Sequence, residues 1–303
     1  MLDITVETEN QQTHARITEQ ALRALVHRIG GERDRFLVVQ RLPDLPGFFV
    51  QTWHEAGGSY RLECRAGDTA SHVRVDLDTP ARVAEVMARW GRQEPDWDAG
   101  IGWESAGMPS EEEVPDPAPE IREQLEERIR LSLRGGYGTV KSLTETAEDY
   151  LVKDGVRPVT MAQARKLVER LWLERVAEQA RWTDVTGADR VERAFAALEE
   201  RGITAREDFT CCRSCGTGEI HAEGSADARG FVFFHTQGTD AVAEGHGLSL
   251  YYGGFDGSAG TTAAVGREVA DALGEAGLPV EWDGSPDTSI LVPLTDWRKR
   301  LVG

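Results

Sequence analysis

The stretch "SAGMPSEEEVPDPAPE", Ser105 to Glu120, decides how the rest of the chain is read. Four prolines and four acids fall ahead of Glu120 with almost no apolar side chain between them. Such a segment buries too little surface to offset the entropy of ordering it, so it reads as a semi-extended linker over residues 105–119. It separates an N-terminal domain, residues 1–104, from a second region, residues 120–303. Limited proteolysis is expected to cut first between Ser105 and Glu120 and to leave two resistant fragments; first cleavage inside the flanking helices would mean the boundary lies elsewhere.

Working back from the linker, four runs alternate in the manner of strands: "FLVVQ" from Phe36, "FFVQTW" from Phe48, "SYRLECR" from Ser59 and "HVRVDLD" from His72. Gly57-Gly58 and Ala66-Gly67-Asp68 stand where hairpin turns are needed. A first strand, Ile4 to Glu7, precedes a helix carrying Ile17, Leu22, Leu25, Val26 and Ile29 on one face, and Thr79-Pro80 opens a second helix through Trp90. In "SYRLECR" Cys64 shares the face of Tyr60 and Leu62, which predicts a buried thiol. Trp97 and Trp103, beside Asp96, Asp98 and Glu104, are candidate binding anchors or domain-edge packing.

Forward of the linker the period is helical for some eighty residues: Ile121, Leu125, Ile129 and Leu133 in one stripe, then Ala164, Val168, Leu171 and Trp172, then Val191, Phe195 and Leu198. From Ile203 it changes to strands near Thr204–Thr210, Gly230–His235 and Leu248–Tyr252, a helix near Thr262–Ala276, and closing strands near Pro279–Trp282 and Ser289–Pro293. The expected class is α+β: an N-terminal antiparallel sheet with helices, a helical middle segment and a C-terminal α+β sheet domain.

Charge excludes one large class of function. Acids outnumber bases 52 to 34, a net charge of -18, and each of residues 1–104, 105–118 and 119–303 is acidic by itself. Nucleic-acid binding needs clustered bases, so no nucleic-acid partner is expected; an acidic surface suits a basic protein partner. No run of about 18 apolar residues offers a membrane span, and "MLDITVETEN" is acidic where a secretory leader is basic and then apolar, which predicts a cytoplasmic protein without a membrane partner. Thirty arginines against four lysines suit a GC-rich bacterial genome.

Chemistry concentrates in "FTCCRSCGTGEIH", Phe209 to His221, which holds three of the four cysteines. Cys212 and Cys215 form a C-x-x-C pair that suits zinc, a redox dithiol, or plain packing. Zinc takes four ligands, and Cys211, His221 or His235 are the candidates to complete the set. For the redox reading Arg213 is a helpful cation, whereas "GTGEI" makes a poor first helical turn. Cys211 and Cys212 are adjacent and point apart on an extended chain, so Cys212 and Cys215 are expected to face each other at a turn between sheet elements while Cys211 packs inward. The run "YYGGFDGSAGTT" precedes a helix, so the amides near Gly254 and the hydroxyl of Thr261 are a candidate anion site, with an ordinary strand-to-helix connection as the plainer reading.

"FTCCRSCGTGEI", "RGFVFFHTQGTDA" and "VEWDGSPDTSILV" in this order resemble an uncharacterised bacterial family, a domain of unknown function, over about residues 201–300. "FFVQTWHEAGGSYRLE" and "EPDWDAGIGWE" are similar to small α+β modules among bacterial toxin-immunity proteins. The expectation is a non-catalytic, immunity-like or regulatory module that binds another protein; the alternative is a zinc or dithiol protein centred on Cys212 and Cys215.

Overall fold

Alternation of apolar and polar side chains builds the first sheet. In the computed structural model, which describes residues 1–109 and 113–301, the chain divides into two compact units, Met1–Pro115 and Asp116–Leu301. Residues 110–112 of the proline- and acid-rich stretch lie outside the described residues.

In the first unit β1 (Ile4–Thr8), β2 (Thr13–Ala15), β3 (Phe36–Arg41), β4 (Phe48–His54), β5 (Tyr60–Ala66), β6 (Val73–Leu77) and β7 (Glu104–Ser105) pair antiparallel in the order β2-β1-β3-β4-β5-β6-β7. The register sets Val50 opposite Cys64 and Thr52 opposite Leu62, and all four are buried on the face that α1 (Glu19–Arg28) and α2 (Pro80–Gly91) help to cover. Thr18 and Thr79 cap the two helices by accepting the N–H groups of Ala21 and Arg82. Cys64 is buried as its register predicts, and burial pushes its thiol up to about 11. The edge strands β2 and β7 were not evident in the sequence; β7 takes Ser105, the first residue of the predicted linker, into a pair with Val73.

The second unit opens with α3 (Pro119–Gly135), α4 (Val140–Asp149) and α5 (Met161–Gln179), which bury Leu125, Ile129, Leu143, Leu171 and Trp172 among themselves. Then come α6 (Gly187–Glu200), β8 (Ile203–Arg206), α7 (Arg213–Glu223), β9 (Gly230–Phe233), α8 (Thr236–Ala243), β10 (Leu248–Gly254), α9 (Ala259–Glu275) and β11 (Ile290–Val292). The sheet order is β11-β10-β9-β8, with β8 and β9 parallel and the other pairs antiparallel. Every residue of β9 is buried because both faces of this strand are covered. Val232 joins α6 and α9 in the main core, with Val191, Phe195, Val265 and Val269, while Phe231 and Phe233 point the other way and pack with Ile220 of α7. The α+β class holds. Two helices, α7 and α8, fall in stretches that the sequence reading left outside its helices. Around Pro279–Trp282, where a strand was expected, only Glu281 forms a bridge, to Leu291.

Candidate functional site

The three clustered cysteines sit where β8 passes into α7, not at a turn between strands. Cys212 is the N-cap of α7, so Cys215 lies in its first turn. The poor helical propensity of "RSCGTGEIHAE" is overridden by packing: a Cβ on Gly216 would stand 2.3 Å from Cε2 of Phe233. The glycine thus lets this helix lie close on β9, and it is buried there with Ile220.

Backbone strain brings the sulfurs together. Asp208 and Thr210 have φ of 49° and 61°, a left-handed conformation that is rare for a β-branched residue. The surroundings hold it. The Thr210 carbonyl accepts the Thr236 N–H at 3.0 Å and the Thr236 hydroxyl at 2.9 Å, and the Thr210 hydroxyl donates to the Cys212 carbonyl at 3.2 Å. The Thr239 hydroxyl donates to Asp208 at 2.7 Å, and burial holds that carboxyl above its ordinary range. This sharp turn corrects the expectation for Cys211. It is exposed, not packed inward, and its sulfur is 3.5 Å from that of Cys215. Cys211, Cys212 and Cys215 form one group whose sulfurs lie within 4.8 Å of one another.

The helix terminus distinguishes Cys212 from Cys215. The neutral Cys212 thiol makes no capping hydrogen bond. The N–H of Cys215 first, then the Cys215 and Cys211 thiols and the N–H of Ser214, hold the Cys212 pKa below its ordinary 9.0 by stabilising a thiolate at the positive end of α7. The neighbouring sulfurs of Cys211 and Cys212 push Cys215 up to about 11.

Neither histidine named from the sequence belongs to the group of three thiols. His221 is in the last turn of α7, about 9 Å along the axis from Cys215, with its ring 5.0 Å from that of Phe255. His235 is the N-cap of α8; its Nδ1 accepts the Gly238 N–H at 3.1 Å, its ring stacks on Tyr251 at 5.3 Å, and burial lowers its pKa. The structure puts the cap of α9 on Ser258, and near it the Asp256 carboxylate accepts from the Thr261 hydroxyl at 2.6 Å. The Gly254 N–H donates to Thr262 at 3.1 Å, so this terminus already holds an acid of its own. Trp97 and Trp103 are in ring contact at 5.8 Å and half-buried against the N-terminal core.

Sequence reasoning passed over Tyr251 and Asp287. Arg213, Tyr251 and Asp287 line a cleft of about 100 Å³ beginning one residue beyond Cys212, with the Arg213 guanidinium 4.9 Å from the centre of the Tyr251 ring. The alternation of β10 is the signal by which Tyr251 was open to discovery, since it lies opposite Phe233 in the ladder.

Among the described residues no helix is long and apolar enough to cross a membrane. No curated protein and no solved structure matches the chain. A family described as "Domain of unknown function (DUF6891)" matches residues 118–301, which include the three thiols and the residues that line the cleft, and the chain belongs to that family.

Proposed function

We propose that Cys211, Cys212 and Cys215 form a thiol–disulfide redox centre, with Cys212 attacking and Cys215 resolving. The observation that supports it is the convergence of three sulfurs within 4.8 Å at the N-terminus of α7. The Cys212 thiolate attacks one sulfur of a substrate disulfide, forming a mixed disulfide and expelling the first product thiolate, which takes up a proton. Cys215 then loses its proton, attacks the Cys212 sulfur and expels the second product thiol. The protein has gained one internal disulfide, and the substrate has gained the two hydrogens and two electrons.

The test is to mix reduced protein with excess aromatic disulfide reporter and to follow released thiol and protein mass. Expected are three equivalents of thiol per chain, two from an internal disulfide mapped among Cys211, Cys212 and Cys215, with its loss of two hydrogens, and one from the reporter's mixed disulfide on the cluster thiol outside that bond. A mixed disulfide that persists on Cys212 would overturn the reading. So would one tightly held zinc per purified chain that shields the thiols from alkylation, because it would make the cluster a metal site.

The net charge of -18 favours a second reading, association with a basic protein partner in the manner of an immunity-like or regulatory module. Capture of such a partner that weakens steeply with added salt supports it; binding indifferent to salt does not.

A further inference from the structure

Three separate stretches meet at the cleft that Arg213, the residue after Cys212, helps to line. Arg213 and Thr217 come from α7, Tyr251 and Tyr252 from β10, and Asp287 and Thr288 from the "DGSPDTS" loop. That loop is pinned from several sides. Asp283 accepts the Ser285 N–H at 2.9 Å and the Thr288 hydroxyl at 2.6 Å, and the Ser285 carbonyl accepts the Tyr252 hydroxyl at 2.7 Å and the Trp282 indole N–H at 3.2 Å. Asp287 is therefore presented on a fixed turn. Arg213 is held over Tyr251. Among the described residues neither side chain makes an ion pair, although many arginines of this acidic chain do. The cleft thus offers a cation set over an aromatic ring, a carboxylate exposed on a hydrogen-bonded turn, two hydroxyl-bearing threonines and an aromatic wall.

A ligand that matches both charges carries a carboxylate and an ammonium on a small frame, and one to be attacked from Cys212, the N-cap residue before Arg213, carries a disulfide. Resting on the redox reading, we propose that this cleft recognises the amino-acid end of a low-molecular-weight disulfide, its carboxylate at Arg213 and its ammonium at Asp287. The Cys212 thiolate attacks the nearer sulfur of that disulfide; the distal half leaves as a thiolate and is protonated. Cys215 then releases the bound half as a thiol, so the disulfide is the oxidant and the protein dithiol the reductant.

Three probes separate the charges: cystine has both, cystamine only the ammonium, and 3,3′-dithiodipropionate only the carboxylate. Oxidation of the reduced full-length chain is followed with each, for the native protein and for Arg213→Gln and Asp287→Asn, both at exposed positions. Rates are compared as ratios between probes, which cancels any effect of a substitution on the thiolate itself. Arg213→Gln is expected to lower the cystine-to-cystamine ratio about tenfold, the scale of one charge-assisted contact. Asp287→Asn is expected to lower the cystine-to-dithiodipropionate ratio by a similar factor. Ratios unchanged in both variants overturn the proposal. Failure of the redox reading looks different, since then all three probes leave the native thiols reduced. In that case equilibrium binding of S-methylcysteine decides: saturable binding weakened by both substitutions supports the cleft's role, and no binding overturns it.

Discussion

Alkylation by iodoacetamide across pH 5–11 is expected to modify Cys212 first, with a midpoint below 9.0, while Cys215 reacts only near pH 11. The sign follows from what surrounds each sulfur. Donors that face Cys212 favour its charged form, so its thiolate is populated at lower pH than that of an ordinary cysteine. Cys215 faces two other sulfurs, and a thiolate there is opposed by the one already formed on Cys212. Substitution separates the contributions. Cys215→Ala removes a thiol donor but keeps the backbone N–H, the largest influence on Cys212, so the Cys212 midpoint should rise part of the way toward 9.0. Cys212→Ser is expected to reduce disulfide exchange to the background rate, with the fold intact by circular dichroism because the cap position is only half-buried. Equal midpoints for Cys212 and Cys215 in peptide mapping would remove the assignment of attacking and resolving thiols.

Phe234→Ala is expected to cost about 3–5 kcal/mol of stability in the C-terminal unit, the range for truncating a fully buried aromatic. The ring is fully buried, with neighbours Phe195 at 5.9 Å, Tyr137 at 6.1 Å and Trp297 at 6.2 Å. It therefore joins the segment after α3, the helix α6 and the C-terminal segment at one point. Its backbone carbonyl also accepts the Phe209 N–H at 2.8 Å, two residues ahead of the thiols. Urea denaturation of the native and substituted chains reads the loss. Phe36→Ala is the comparison, because Phe36 is 38% exposed and its loss should cost well under half as much. A shift for Phe234→Ala no larger than that for Phe36→Ala would show that neighbouring side chains refill the space.

The two-period pattern of the chain was legible because periodicity records which face is buried. Val50, Leu62 and Cys64 alternate into the core, and Leu125, Ile129 and Leu133 recur on one helix face, so strands and long helices were identified from spacing alone. The helix α7 was not, because its glycines lower its intrinsic preference and Gly216 is explained only by the ring of Phe233 that lies against it. Likewise β2 and β7 are short edge strands, whose pairing depends on a neighbouring strand more than on their own residues.

At the site the sequence by itself determined the inventory: three cysteines in five positions and an arginine between two of them, in an acidic chain. Only the tertiary structure decided their arrangement. Local geometry sends the side chains of Cys211 and Cys212 to opposite sides, and it takes the positive φ of Thr210, held by hydrogen bonds from Thr236, to turn Cys211 toward Cys215. The same holds for His235, whose ring nitrogen caps α8, and for Asp287, 72 residues past Cys215, which reaches the cleft through a loop anchored on Tyr252 and Trp282. Spacing along the chain specifies contacts within one helix or strand; contacts between elements depend on which faces the cores bury, and that is fixed only when the whole unit has packed.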